Sequence, residues 1–143
     1  MAEHSFPAVA VSVPDARRFV SGLVAHLPEH VCQTAELLVS ELAGNAVRHA
    51  DGPEIVVAVE QADDRLWVGV TDTGRERPVL RSPTVTDVHG RGLQVVAAFA
   101  DRWGARRSRA TGAKTVWFEL AVPPATSGTG TSAPALPGTD APG

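Results

Sequence analysis

The sequence lacks the features that would assign it to an oxidising compartment or a membrane. Its 143 residues include one cysteine, Cys32, so no internal disulfide can form, and this favours a reducing compartment. No apolar run reaches about 18 residues, so we expect no membrane-spanning helix. The first residues, MAEHSFPAVA, contain no basic region followed by an apolar stretch, so no export signal is predicted. Together these absences predict a cytoplasmic protein.

A strong net charge is absent as well. The formal net charge is −3 at pH 7, which gives no electrostatic reason to expect a nucleic acid or an anionic membrane as partner. Lys114 is the only lysine among the 13 basic residues. A GC-rich genome explains that bias, so a single arginine says little about function. The basic cluster from Arg102 to Arg109 is interpreted as a solvated strand and hairpin, with a nucleic-acid surface or a docking patch for an acidic partner as alternatives.

Composition divides the chain into two regions. From Pro123 onward, the segment PPATSGTGTSAPALPGTDAPG has almost no large apolar residue. Such a segment cannot bury enough surface to offset the entropy lost on ordering, so residues 123–143 are predicted to be a disordered tail. One folded domain with one core is then expected over residues 5–122.

Apolar residues at helical spacing predict three helices in this domain. The first covers PDARRFVSGLVAHL and is ended by Pro28, and the second runs from about Glu29 to His49. A polar segment from Arg75 to His89 is predicted as a loop that could cover a site. A third helix, led by glycines, is predicted over GRGLQVVAAFAD.

Alternating apolar and polar residues predict the strands. EIVVAVEQ and RLWVGVTD read as one antiparallel hairpin, RWGARRSRA and KTVWFEL as another, and SFPAVAVSV as a short first strand. Helices therefore occur among hairpins instead of alternating with single strands. This order predicts an α+β two-layer sandwich, with the helices packed on one face of a mixed, mostly antiparallel sheet.

Two polar residues occupy unusual positions in the second helix. At about 100° per residue, Asn45 lies within ~20° of the centre of the apolar stripe on Leu38, and Glu41 lies at ~60°. A buried amide needs a partner, and a buried carboxylate without one is costly. Oxygens one turn apart could bind a hard cation such as Mg²⁺ or accept a proton. Alternatively, Asn45 caps a neighbouring loop and Glu41 pairs with Arg48.

Two later motifs carry further candidate residues. Asp72 continues the apolar row of RLWVGVTD and is either a turn aspartate or an acceptor for an exocyclic amine at the mouth of an apolar pocket. Gly90 and Gly92 precede an apolar helix, and a helix amino terminus reached through glycines suits a phosphate. A plain loop-to-helix turn has the same pattern.

In series, ELAGNAVRHA, VTDTG, GRGL and GAKTVWFEL resemble the four boxes of the GHKL ATPases, which include DNA gyrase, heat-shock chaperones, histidine kinases and mismatch-repair ATPases. The E-x-x-x-N-x-x-R-H helix and the closing TVWFEL are most similar to the anti-sigma-factor serine/threonine kinase branch. The resemblance covers about residues 5–122. It implies the Bergerat ATP-binding fold, with ATP between the helices and one end of the sheet.

The resemblance also implies roles for individual residues. Asn45 would coordinate Mg²⁺, Glu41 would act as general base, and Asp72 would accept a hydrogen bond from the adenine amine, with Gly74 giving the base room. Contacts near the phosphates are implied for a further set: Arg48, Gly90, Arg91, Gly92 and Leu93.

Two positions depart from the family pattern. Glu76 stands where the usual D-x-G-x-G motif has its second glycine. The family often has Gly-Thr before the last strand, with the threonine near adenine, whereas this chain has Ala113 and Lys114 there, followed by Thr115. Thr115 is taken as a candidate for contact with the base, and whether it or Lys114 reaches the adenine is left open.

The implied activity is that of an ATP-dependent serine/threonine kinase. It would use Mg²⁺ and ATP to phosphorylate an anti-anti-sigma (STAS-domain) partner and would sequester a sigma factor, as a homodimer in family members. The alternatives are a non-catalytic ATP-binding regulatory module and a stand-alone catalytic domain of a histidine kinase. A DNA-binding regulator is the least favoured, and no contact with nucleic acid or membrane is expected.

Overall fold

The structure is a computed structural model that describes residues 1–73 and 84–124, with the backbone alone for residues 84–91. Its elements follow the chain in this order: β1 (Ala2–Pro7), α1 (Ser12–Val24), α2 (Glu29–Arg48), β2 (Glu54–Ala62), β3 (Arg65–Asp72), α3 (Thr84–Phe99), β4 (Arg102–Arg107) and β5 (Lys114–Ala121).

The described strands form one sheet in the order β1-β2-β3-β5-β4, and all four pairings are antiparallel. The helices pack on one face of it, which confirms the α+β two-layer class and makes the described sheet antiparallel throughout. Side chains alternate between the two faces of a strand. Val57, Val68 and Phe118 point toward the helices and are buried, and the residues between them point to the other face.

The core lies between this inner face and the apolar stripe of α2. Val31, Ala35, Leu38 and Leu42 recur at helical spacing and are at most 2% exposed. Burying a side chain such as Leu38 stabilises the fold by about 1.5–3 kcal/mol. Because α2 contacts α1, α3 and the central strands, it fixes the position of every polar group on its inner side.

The amino-terminal strand differs from the prediction of a strand in SFPAVAVSV. It begins at Ala2 and ends at Pro7, and the chain then turns, with the Val9 N–H donating to the Pro7 carbonyl at 2.8 Å. The Ser12 hydroxyl then donates to the Pro7 carbonyl at 2.6 Å and ties the start of α1 to the end of β1.

The third helix begins earlier than the sequence indicates. It starts at Thr84, six residues before Gly90, so the predicted polar segment from Arg75 to His89 is helical over its last residues. The prediction that Gly90 leads the helix is therefore wrong. A glycine inside a helix costs only about 1 kcal/mol, which is too little to stop one that packing supports.

Two predictions rest partly on residues outside the description. Residues 74–83 are most of the predicted loop, and residues 125–143 are most of the predicted tail, so the limits 5–122 and 123–143 stay predictions. In the part of the chain that the structure describes, no helix has both the length and the apolar character needed to cross a bilayer.

Candidate functional site

Asn45 lies where the apolar stripe of α2 reaches one end of the sheet. It is 6% exposed, and among the described residues its Oδ1 is buried without a hydrogen-bond partner. An unpaired buried acceptor destabilises a protein by about 1–3 kcal/mol. The alternative in which Asn45 caps a neighbouring loop would give this oxygen a donor. The described residues supply none, so the oxygen is available to a ligand.

Glu41 lies one turn before Asn45, half-buried, where α2 faces α3. Its Oε1 approaches the backbone at Gly92 so closely that a Cβ built there would lie 3.2 Å from it. None of the described ion pairs joins Glu41 to Arg48, which was the structural alternative for this carboxylate. Glu41 and Asn45 therefore present two oxygen-bearing side chains on successive turns of one helix.

Asp72 ends β3 on the sheet face that carries the helices. Its Oδ2 accepts a hydrogen bond from the backbone N–H of Asp51 at 3.1 Å. Asp51 follows the end of α2 by three residues, so this bond joins the end of β3 to the loop after the helix that carries Asn45. The three predicted oxygen-bearing residues thus share one end of the molecule.

Lys114 lies directly beside Asp72, because the two residues are partners in the β3–β5 pairing. Thr115, the candidate for base contact, points to the opposite face, where its hydroxyl and that of Thr71 lie 2.6 Å apart. The structure therefore brings Lys114, and not Thr115, to the face that carries Asp72.

The charge of Lys114 is perturbed by these surroundings. Burial lowers the pKa of its ammonium below 10.5, the nearby Arg107 lowers it further, and the Asp72 carboxylate offsets part of this. The Arg107 guanidinium itself donates to the Gly112 carbonyl at 2.7 Å, in the turn that follows β4. Among the described residues, Lys114 therefore interacts with one carboxylate, that of Asp72, and one guanidinium, that of Arg107.

The lowered pKa of Lys114 predicts a pH dependence of stability. Between the lowered pKa and 10.5 the unfolded chain binds more protons than the folded chain, so the free energy of unfolding rises with pH in that window. Below the lowered pKa, Lys114 is protonated in both the folded and the unfolded chain, so its effect on the free energy of unfolding does not change with pH. In urea titrations from neutral to alkaline pH, wild type is expected to gain stability relative to Lys114→Met as the pH rises. If the difference in the free energy of unfolding between wild type and Lys114→Met stays the same across this pH range, the lowered pKa of Lys114 is contradicted.

The predicted phosphate contacts lie on two helices. Gly90 to Leu93 are in the interior of α3, so their backbone N–H groups are not those of a helix amino terminus. Gly92 is buried against Glu41, and Leu93 packs on the core. Arg48 is exposed in the last turn of α2. Gly74 lies outside the described residues.

A separate open groove of about 680 Å³ lies at the other end of the molecule. It is lined by the first turns of α2, the ends of α3 and β5, and Asp64 of the β2–β3 turn. None of the predicted site residues borders it, so it takes no part in the site.

Sequence reasoning missed one contributor to this site, Asp51, and left a second, Lys114, undecided. Asp51 contributes its backbone N–H, a group that every residue except proline has, so its residue type gave no signal. Lys114 was named, but only the register between β3 and β5 puts it opposite Asp72. The alternation of KTVWFEL carried the signal, because Val116 and Phe118 face the core and Lys114 is in phase with them.

The residues present fit a magnesium-bound nucleotide. Hard cations prefer oxygen ligands and usually retain water and phosphate oxygens in their remaining positions. The Asn45 Oδ1 is such an oxygen, buried and free of any described donor. The Asp72 carboxylate offers an acceptor for an amine at the adjacent strand end.

Comparison with known proteins agrees with this fit. The family model described as the histidine kinase-like ATPase domain matches residues 6–119, which is most of the chain. A search of curated proteins finds no match to the chain.

Proposed function

Because this chain belongs to the histidine kinase-like ATPase domain family, in the GHKL superfamily, we propose that it is an ATP-dependent serine/threonine protein kinase of the anti-sigma type. Its substrate is a serine of an anti-anti-sigma (STAS-domain) protein. In the same proposal the chain holds a sigma factor until that partner competes for it, and it acts in the cytoplasm.

The unpaired Oδ1 of Asn45 is the observation that carries the proposal. A buried amide oxygen without a donor is costly unless something else compensates for it, and a cation held by this oxygen would do so. Magnesium bound there would neutralise charge that develops on the phosphates during transfer. Asn45 is in place for it because Leu38 and Leu42 fix the same face of α2 against the sheet.

Glu41 supplies the base in this proposal. Its carboxylate takes the proton of the serine hydroxyl as the serine oxygen bonds to the γ-phosphorus of ATP. The bond between that phosphorus and the bridging oxygen breaks, and ADP leaves. Because the side chain is half-buried beside Gly92, packing restricts it while one side stays open to a substrate. Catalysis of this kind depends mostly on positioning and charge neutralisation.

Asp72 and Lys114 are the residues proposed to lie at the adenine ring of ATP. The carboxylate is held by the Asp51 N–H and can accept a further hydrogen bond from the adenine amine, since a carboxylate has four lone-pair sites. Lys114 partly balances its charge from the neighbouring strand.

A transfer assay tests the proposal. The purified full chain is incubated with Mg²⁺, γ-labelled ATP and purified STAS-domain proteins, starting with any encoded beside its gene. Labelled phosphoserine on one of them is the expected result. Magnesium-dependent ATP binding without transfer to any of them would instead identify a regulatory module that senses nucleotide.

Replacing Gly92 with alanine is expected to separate stability from transfer. A helical Gly→Ala change stabilises by up to about 1 kcal/mol, but here the new Cβ would lie 3.2 Å from the Glu41 Oε1 and displace the carboxylate by a few tenths of an ångström. The transfer rate should fall by roughly tenfold, because small displacements of a reacting group are costly.

Gly22→Ala is the matched control for this change. Gly22 lies in α1, and a Cβ there would meet no atom within 4 Å. It should raise the melting temperature and leave the transfer rate unaltered. If both variants transfer phosphate at the wild-type rate, the position of Glu41 beside Gly92 has no bearing on catalysis.

A further inference from the structure

Lys114 is the cation that strand register places beside the carboxylate of the site. It is the partner of Asp72 in the β3–β5 pairing, and both side chains lie on the sheet face that carries the helices. Directly opposed residues on one face of an antiparallel pair have their Cβ atoms about 4.5–5.5 Å apart. Lys114 and Asp72 therefore offer a hydrogen-bond donor and an acceptor at neighbouring points of one strand end.

The residues around this pair are apolar. Ile55 lies opposite Asp72 on its other side, in the β2–β3 pairing, and is fully buried. Val70 and Val116, which are in phase with Asp72 and Lys114 along their strands, are at most 8% exposed. In a low dielectric a hydrogen bond is stronger than in water, and an unpaired polar group is more costly. A ligand that leaves either charged group unmatched should therefore bind weakly.

The Lys114 ammonium is half-buried and makes no hydrogen bond to any residue that the structure describes. Its neighbour on the other side, Arg107 of β4, donates to the Gly112 carbonyl and is held in the turn. Burial and the charge of Arg107 both lower the pKa of Lys114, so both disfavour its charged form. An ammonium has three donors and no acceptor, and leaving them unpaired is costly unless a ligand accepts from them.

The proposed contact between Asp72 and the adenine amine fixes which ligand atom lies next to it. In adenine, the amine and the ring nitrogen N1 are bonded to the same carbon, and N1 is a hydrogen-bond acceptor. This edge of the base is the one farthest from the ribose. With the phosphates held at Asn45, it is the edge that reaches the strand end, where Lys114 supplies a donor.

We propose that Lys114 donates to N1 of adenine while Asp72 accepts from the amine, so that two protein groups together select the base of the nucleotide. This inference rests on the proposed function, because it takes ATP as the nucleotide. Guanine and hypoxanthine reverse both groups, since each has a carbonyl oxygen in place of the amine and a hydrogen on N1. Asp72 would then face an oxygen and Lys114 an N–H, so the site excludes GTP and ITP.

The alternative role for Lys114 is to balance the charge of Asp72 without touching the base. Both roles predict that substitution of the lysine weakens ATP binding. Only the proposed contact predicts that the loss depends on the ring nitrogen of the ligand. A nucleotide that lacks N1 alone therefore separates the two roles.

Nucleotide analogues that differ from ATP in one ring atom provide this test. In 1-deaza-ATP a CH group replaces N1, whereas 7-deaza-ATP keeps N1 and is altered in the other ring. Calorimetric titration of the purified full chain with Mg²⁺ and each analogue measures the affinities. For wild type, 1-deaza-ATP should bind about ten- to a hundredfold more weakly than ATP, and 7-deaza-ATP within about threefold, because only the first loses a hydrogen bond to a charged group. ITP and GTP should bind weaker than ATP by roughly a hundredfold or more.

Lys114→Met removes the same contact from the protein side. It should bind ATP about ten- to a hundredfold more weakly and should no longer distinguish ATP from 1-deaza-ATP, because N1 has lost its donor. Arg106→Met is the matched control. Arg106 is the partner of Thr115 in the β4–β5 pairing and lies on the opposite face of the sheet, so its loss should leave the preference for ATP over 1-deaza-ATP intact.

Three results would overturn the proposal. Wild type could bind ATP and 1-deaza-ATP equally, it could lose affinity for 7-deaza-ATP instead, or Lys114→Met could still discriminate against 1-deaza-ATP. Each of these results leaves ATP binding and phosphoryl transfer, and so the proposed function, untouched. If no nucleotide binds at all, the proposed function fails, and the contact with N1 fails with it.

Discussion

Replacing Asn45 with leucine is expected to abolish magnesium-dependent ATP binding and, at the same time, to stabilise the ligand-free protein. The amide Oδ1 is buried without a partner in the described residues, so an apolar side chain of similar size removes a penalty of about 1–3 kcal/mol. It also removes the oxygen proposed to bind the cation. Even the loss of an outer-shell partner weakens metal binding by about 10- to 100-fold, so the loss of a direct ligand should weaken it by ~100-fold or more.

Calorimetric titration with MgATP and thermal unfolding of the ligand-free protein measure the two effects. Gln33→Leu is the matched control, since Gln33 is an exposed residue on the same helix and its side-chain amide donates to the Glu29 carboxylate. A structural role for Asn45 would give the opposite pattern, with a lower melting temperature and unaltered nucleotide binding. That pattern would remove the site assignment itself.

Replacing Glu41 with glutamine is expected to leave ATP binding within about threefold of wild type and to reduce phosphoryl transfer by roughly 10²- to 10⁴-fold. Glutamine keeps the size of the side chain beside Gly92 but cannot accept the serine proton. Removing a general base ordinarily has an effect of this size. Single-turnover transfer of labelled phosphate, together with equilibrium binding of ATP, separates the two quantities.

Glu36→Gln provides the comparison for this change. It makes the same substitution on the same helix, about one turn and a half before Glu41, and it should alter neither binding nor transfer. Equal transfer rates in Glu41→Gln and wild type would mean that another group, or water, takes the proton. The proposed role of Asn45 in nucleotide binding would then be unaffected, but Glu41 would not be the general base.

The regular parts of the fold were predictable because their periodicity is uninterrupted. The apolar stripe of α2 and the alternation of β2 and β3 gave bounds within one residue of those observed. The burial of Asn45 followed from the same helical spacing, as its 6% exposure confirms. The position of this amide was thus predicted, and what the structure adds is that its Oδ1 has no hydrogen-bond partner among the described residues.

The errors occurred where packing between elements decides the outcome. Gly90 and Gly92 were predicted to lie just before a helix, but α3 begins at Thr84 and includes both glycines. A Cβ at Gly92 would lie 3.2 Å from the Glu41 Oε1, a close approach that only the position of the neighbouring helix reveals. Similarly, Lys114 and Thr115 are adjacent in sequence, and only strand register decides which of them shares a face with Asp72.

The alternation of side chains along β3 and β5 has a consequence for how this chain can change over evolutionary time. Asp72 and Lys114 belong to one surface of these two strands, whereas Trp67 and Trp117, whose rings are stacked, belong to the other. A substitution on one surface leaves the other intact, so the two can diverge independently. A single inserted or deleted residue within either strand reverses the orientation of every side chain beyond it. Insertions should therefore be confined to the turns, because one in β3 or β5 would disrupt both surfaces at once.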